Sequence, residues 1–133
     1  VGTYLVTLPQ FAASFLASIA ALSAALAIYV WITPIREFAL IEDGNAAAAI
    51  SLAGALIGLV IPIASAIAHS RDLVDLLVWS LVALAVQLAA HAAVTFSWRG
   101  IAARIAAGSH AHAVALGSVT IAVGVLNAAC LTT

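Results

Sequence analysis

The chain has 133 residues, 66% of them hydrophobic and only 7% charged, with 34 Ala, no Lys and a mean hydropathy of +1.26. A soluble domain carries about a quarter charged residues, so a water-soluble globule is excluded and a polytopic membrane protein remains, with the lipid bilayer as its solvent. The net charge of −1 comes without any basic cluster, which excludes nucleic acid as a partner because phosphate binding needs many Lys and Arg contacts.

The first charge of the chain is Arg36, and the apolar run ahead of it predicts helix 1 over Pro9–Ile32, with Pro9 in a first turn where its missing N–H costs nothing. Residues 1–30 have no basic segment and the run is too long for a signal-peptide core, so helix 1 reads as a retained span. The connection that follows carries Arg36, Glu37, Glu42 and Asp43. Its end, Glu42-Asp43-Gly44-Asn45, reads as a turn and helix N-cap with acids favoured by the helix dipole, or alternatively as a cation-attracting vestibule. Helix 2 is expected over Asn45–Ala68, helix 3 over Leu73–Phe96 and helix 4 over His110–Leu131, each run free of charge except at its rims. The runs lack the period-two alternation of a membrane β-barrel, and backbone in lipid must bond internally, so the fold class is all-α with four transmembrane helices.

Arg36, Arg99 and Arg104 follow helices 1 and 3, whereas Arg71 alone follows helix 2 and the termini carry none. That bias places the first and third connections inside the cell and both termini outside. Trp31 and Trp98 at the inner ends, Tyr29 close by, and Trp79 in the outer part of helix 3 read as the aromatic belt of the two interfaces. Cys130 is the single Cys, so an intramolecular disulfide is excluded.

Sliding the chain by 64 residues places helix 1 on helix 3 and helix 2 on helix 4. Gly44–Ala66 and Gly108–Cys130 then share 6 identities in 23 positions, among them Gly44/Gly108, Leu52/Leu116 and Ala64/Ala128. About 3 would arise by chance in so Ala-rich a chain. The punctuation agrees: a Gly opens helices 2 and 4, and an aromatic then a hydroxyl residue close helix 1 (Trp31, Thr33) and helix 3 (Phe96, Ser97). One four-helix domain over residues 1–133 is expected, built of repeat units at about 9–68 and 73–131 that share one orientation.

Three stretches carry a family resemblance: AAAAISLAGALIGLVIPIASA from Ala46 to Ala66, Gln87 within Val86-Gln-Leu88, and the ending Asn127-Ala-Ala-Cys-Leu-Thr132. With them the chain resembles, over essentially its whole length, the YjfL family of small bacterial inner-membrane proteins, catalogued as domain of unknown function 350. The resemblance implies a multi-pass protein of the bacterial inner membrane built as two tandem two-helix units, with both termini periplasmic on the arginine bias. It implies no particular activity. Some relatives are encoded beside envelope-stress and polyamine-related proteins, which implies an envelope-protein partner without a mechanism.

The chemistry-bearing residues lie within the spans. Gly54 and Gly58, with Ala47, Ser51 and Ser65 on nearby turns, form a small-residue face suited to close backbone approach. That face packs on helix 4, on another subunit, or lines a permeation path. Pro62 removes the donor for the Gly58 carbonyl and kinks helix 2, freeing an acceptor for a cation or water. Gln87 and His91 share a face of helix 3 in the inner half of the bilayer, and Ser23 stands at the repeat-equivalent position of Gln87, with Ser14 and Ser18 above it. Polar groups in hydrocarbon need partners, so these point into the bundle or an oligomer centre, as interhelical hydrogen bonds or as a polar lining in which His91 responds to pH. Thr120, Asn127, Cys130 and Thr132 trail along helix 4, and if helix 2 packs beside helix 4 Asn127 is the amide expected near Pro62 to satisfy the freed backbone. His110 and His112 point apart on a helix, so no metal site is expected there. No paired carboxylates, Ser-His-Asp set or phosphate loop can be assembled, so neither an enzyme nor a cofactor is expected. Two functions remain: a homo-oligomeric ion channel or transporter-like protein, and a non-catalytic membrane scaffold or accessory subunit for envelope-stress proteins.

Overall fold

From Ala46 to His69 the backbone forms one uninterrupted helix of 24 residues, about 36 Å long and enough to cross a bilayer. The computed structural model describes residues 2–33, 37–69 and 72–131, so Arg36, Arg71 and Thr132 lie outside the described residues. In chain order the elements are α1 (Gly2–Ile32), α2 (Glu37–Glu42), α3 (Ala46–His69), α4 (Leu73–Ser97), α5 (Ile101–Ala106) and α6 (His110–Leu131). No strand occurs among the described residues. Helices α1, α3, α4 and α6 are long and apolar enough to span a membrane, so the fold is an all-α, four-span membrane protein.

The expected spans stand to within a residue or so except at the start of α1, which begins at Gly2 and carries Pro9 inside it instead of in its first turn. The apolar residues ahead of Pro9 have no water to satisfy their backbone, so the helix continues through a proline that removes a single hydrogen bond. Helices α2 and α5, both six residues, were not expected; EFALIE and IAARIA are too short to show a period.

Each short helix ends in a turn around a glycine with positive φ, 87° at Gly44 and 97° at Gly108. The turns are closed alike: Gly44 N–H donates to Ile41 O and Asn45 N–H to Leu40 O, while Gly108 N–H donates to Ile105 O and Ser109 N–H to Arg104 O, all at 2.9 Å. A side chain other than hydrogen strains that backbone, which accounts for a Gly ahead of both long helices. Asn45 Oδ1 then caps α3 by accepting Ala48 N–H at 3.1 Å, and Ser109 Oγ caps α6 by accepting His112 N–H at 3.4 Å. Asn45 also donates through Nδ2 to the carbonyls of Ile105 and Ala106, tying the start of α3 to the end of α5.

The core has two parts. Ala25 and Tyr29 of α1, Ala55, Leu59 and Ile63 of α3, and Ala83 and Leu84 of α4 fill the bundle. Ile101 and Ile105 of α5 plug its arginine-bearing end against Ala47, Ala113 and Leu116. Of the spans, α3 is the most enclosed and α1 the least; Leu5, Phe11, Phe15 and Leu16 all lie exposed on α1.

The candidate functional site

The seam between α3 and α6 organises the site. A Cβ on Gly54 would overlap Gly117, one on Gly58 would overlap the Thr120 carbonyl, and one on Gly124 would overlap the Gly58 carbonyl. Farther along, Ser65 Oγ donates to Ala128 O at 3.3 Å. Partners advance together along both helices, so α3 and α6 run in the same direction with backbone against backbone. Of the three packing readings of the Gly54–Gly58 face, contact with helix 4 of the same chain is the one observed.

Helix α3 continues through Pro62, and the carbonyl deprived of its donor is served from α4. Gln87 Nε2 donates to Gly58 O at 2.9 Å and to Thr120 O at 3.1 Å, and the side chain is fully buried. Gln87, and not Asn127, therefore meets the freed carbonyl. Gly124 is the α6 residue level with Gly58, and Asn127 lies almost a turn beyond it, with its Nδ2 buried and without a hydrogen-bond partner. Gly58, Thr120 and Gln87 stand near the middles of their helices, with Gln87 just past the middle of α4 toward its arginine-bearing end.

His91 lies one turn from Gln87 toward the arginine-bearing end and is buried. Its Nδ1 is 3.0 Å from Tyr29 Oη, and the two rings meet edge to face at 5.6 Å. Tyr29 is only 1% exposed, so the belt reading fails for it, whereas Trp31 at 84%, Trp98 and Trp79 are exposed. The sequence offered a signal: Ala25 and Tyr29 are four apart and share one face of α1. Ser23 departs from expectation in the opposite sense. It is exposed on the outer face of α1, apart from Gln87, His91 and Asn127, because the buried face of that helix runs through Ala21, Ala25 and Tyr29. Ser14 is exposed too, and Ser18 Oγ turns back to bond its carbonyl.

Among the described residues, four buried polar side-chain atoms have no hydrogen-bond partner: Ser80 Oγ, Gln87 Oε1, His91 Nε2 and Asn127 Nδ2. Ser80, Gln87 and His91 fall on one face of α4, with Ala83 and Leu84 between the first two. In hydrocarbon such atoms are costly unless water or an ion meets them. Away from this region, His112 Nδ1 lies 2.6 Å from Ser109 Oγ and His110 is exposed. Among the described residues no three His, Cys, Asp or Glu side chains gather as a metal site would require. Cys130 is exposed at the far end of α6.

Residues 3–131 match the family described as Domain of Unknown Function (DUF350). The UPF0719 inner membrane protein YjfL of Escherichia coli strain K12 is 34% identical over 126 residues, covering 95% of this chain and 96% of that protein, and YjfL of Escherichia coli O157:H7 matches to the same extent. No solved structure matches the chain. With four spans, a glycine seam and a family match over almost every residue, the chain belongs to the DUF350 family and is a multi-pass protein of the inner membrane.

Proposed function

We propose that the protein is a homo-oligomeric ion channel or transporter-like protein whose route follows the buried polar residues of α4 and α6. The observation that carries this reading is the set of partnerless polar atoms at Ser80, Gln87, His91 and Asn127, inside helices that bury mostly apolar residues. Packing uses none of these four atoms, and polar groups kept within a membrane mark ion or substrate paths by default. In this reading the two halves are one duplicated unit: α2 and α5, the turns at Gly44 and Gly108, and the starts of α3 and α6 each recur 64 residues apart.

The test is the particle size in mild detergent, followed by ion flux in liposomes. Flux is expected from the wild type; Gln87→Leu should lower it with the oligomer intact, and His91→Ala should change its pH dependence. Unaltered flux in both variants would remove the route from these residues.

A second reading, an accessory or scaffold subunit for envelope-stress proteins, draws on a different observation. An apolar groove of about 350 Å³ runs between α1 and α3, lined by Phe15, Ile19, Leu22, Val60, Ile63 and Ile67. Absence of flux together with co-purification of an envelope protein that is lost on substituting Phe15 would favour it.

For orientation, Arg99 and Arg104 at one end of the bundle support placing that end in the cytoplasm and both termini in the periplasm. Cys130 lies near the opposite end. A membrane-impermeant maleimide should therefore label it from the periplasmic side, and labelling only after the inner membrane is opened would reverse the assignment.

A further inference from the structure

We propose that the Gln87–His91 turn of α4 is a proton-binding site, a buried water held between Gln87 Oε1 and His91 Nε2, and that the species this protein moves is the proton. The inference deepens the conduction reading and rests on it for the second clause. Both atoms are buried, both lack a partner, and they belong to side chains four apart on one helix face. Side chains at that spacing are neighbours on the helix surface, and buried polar atoms left open side by side are what a buried water satisfies. The other polar atoms of the two side chains are engaged: Gln87 Nε2 is spent on the carbonyls of Gly58 and Thr120, and His91 Nδ1 faces Tyr29 Oη. The amide therefore cannot turn its donor toward His91 without abandoning two carbonyls, so the face it offers is an acceptor.

An acceptor opposite a ring nitrogen suits a proton. With the neutral ring carrying its hydrogen on Nδ1, that N–H donates to Tyr29 Oη and the lone pair on Nε2 is open. A proton delivered through the water adds to that lone pair, and the new N–H donates, directly or through the water, to Gln87 Oε1. Loss of the same proton to water returns the neutral ring, so one proton enters and one leaves and no other bond is broken. A neutral amide oxygen stabilises this cation without fixing it as a carboxylate would. The elements packed on α4 bring no charge to oppose it. Tyr29 is the titratable group that α1 sets against the ring, while α3 and α6 carry no Asp, Glu, Lys or Arg, and their His69, His110, His112 and Cys130 stand at the helix ends. A dehydrated alkali cation, by contrast, needs several oxygen ligands, and a single free oxygen faces this turn.

The experiment uses the full chain in liposomes with two readouts. The first is water-edited nuclear magnetic resonance of ¹⁵N-imidazole-labelled protein. The second is proton flux under an imposed potential, with Na⁺ and K⁺ flux measured beside it. Water contact at His91 Nε2 is expected, together with proton flux that falls to that of empty liposomes in His91→Gln, a variant that keeps a polar group facing Tyr29. Tyr29→Phe should shift the pH at which the His91 resonance titrates, a response that a mere packing role would not produce. A dry, non-titrating His91, or proton flux unchanged in His91→Gln, overturns the proposal. If Na⁺ or K⁺ crosses while proton flux ignores His91, the proposal fails and the conduction reading stands; if nothing crosses, both fail.

Discussion

Gly58→Leu is expected to part α3 from α6, with loss of the monodisperse particle or a large drop in its thermal unfolding temperature in detergent. A Cβ at this position already collides with the Thr120 carbonyl, and the Gln87 amide stands beside it. The Gln87 chain end can swing aside but the Thr120 carbonyl is backbone, so a branched side chain must move a helix. The cost should reach or exceed the roughly 3 kcal/mol upper end of ordinary overpacking. Gly117→Ala is the contrasting variant: its Cβ would stand 3.5 Å from Ile50 O and 3.6 Å from Gly54 Cα, which is ordinary contact. It should leave stability almost unchanged. Equal effects of the two substitutions would show that the seam is not what limits stability.

Gln87→Leu is expected to lower stability by about 2–3 kcal/mol, because it strands the Gly58 carbonyl and removes two interhelical hydrogen bonds. The cause can be isolated in a double-mutant cycle with Pro62→Ala. Alanine restores the backbone N–H that ordinarily serves the residue four positions earlier, so Gly58 O regains a partner inside α3. Gln87→Leu should then cost about 1 kcal/mol in the Pro62→Ala background, a strongly non-additive result. Additive effects would mean that Gln87 acts elsewhere than at the proline's missing donor. Thermal unfolding of the four proteins in one detergent supplies the comparison.

The spans, the glycine turns and the small-residue face were legible because each follows from a local rule: length against bilayer thickness, positive φ at Gly44 and Gly108, close approach at Gly54 and Gly58. The freed carbonyl at Gly58 was legible too, since a proline states which acceptor it abandons. Its partner was not. Whether Gln87 or Asn127 reaches that oxygen depends on where α4 crosses the seam, a tertiary fact that no spacing within one helix contains. Ser23 and Tyr29 exchanged places for a related reason. The aromatic belt rule sees an interface-depth Tyr, and the 64-residue register sees a hydroxyl opposite Gln87. The rotation of α1, which turns Tyr29 to His91 and Ser23 outward, comes from packing Ala21 and Ala25 against neighbours.

The glycine seam joins residues far apart in the chain, Ser65 to Ala128 being 63 positions apart. During synthesis α3 therefore enters the membrane with its glycine face bare and its Gly58 carbonyl unserved, first until α4 brings Gln87 and then until α6 closes the other side. Until then the half-made protein shows membrane quality control a polar backbone group at mid-bilayer. A chain stopped before α4 carries that mark permanently, and so should be degraded far faster than the complete protein.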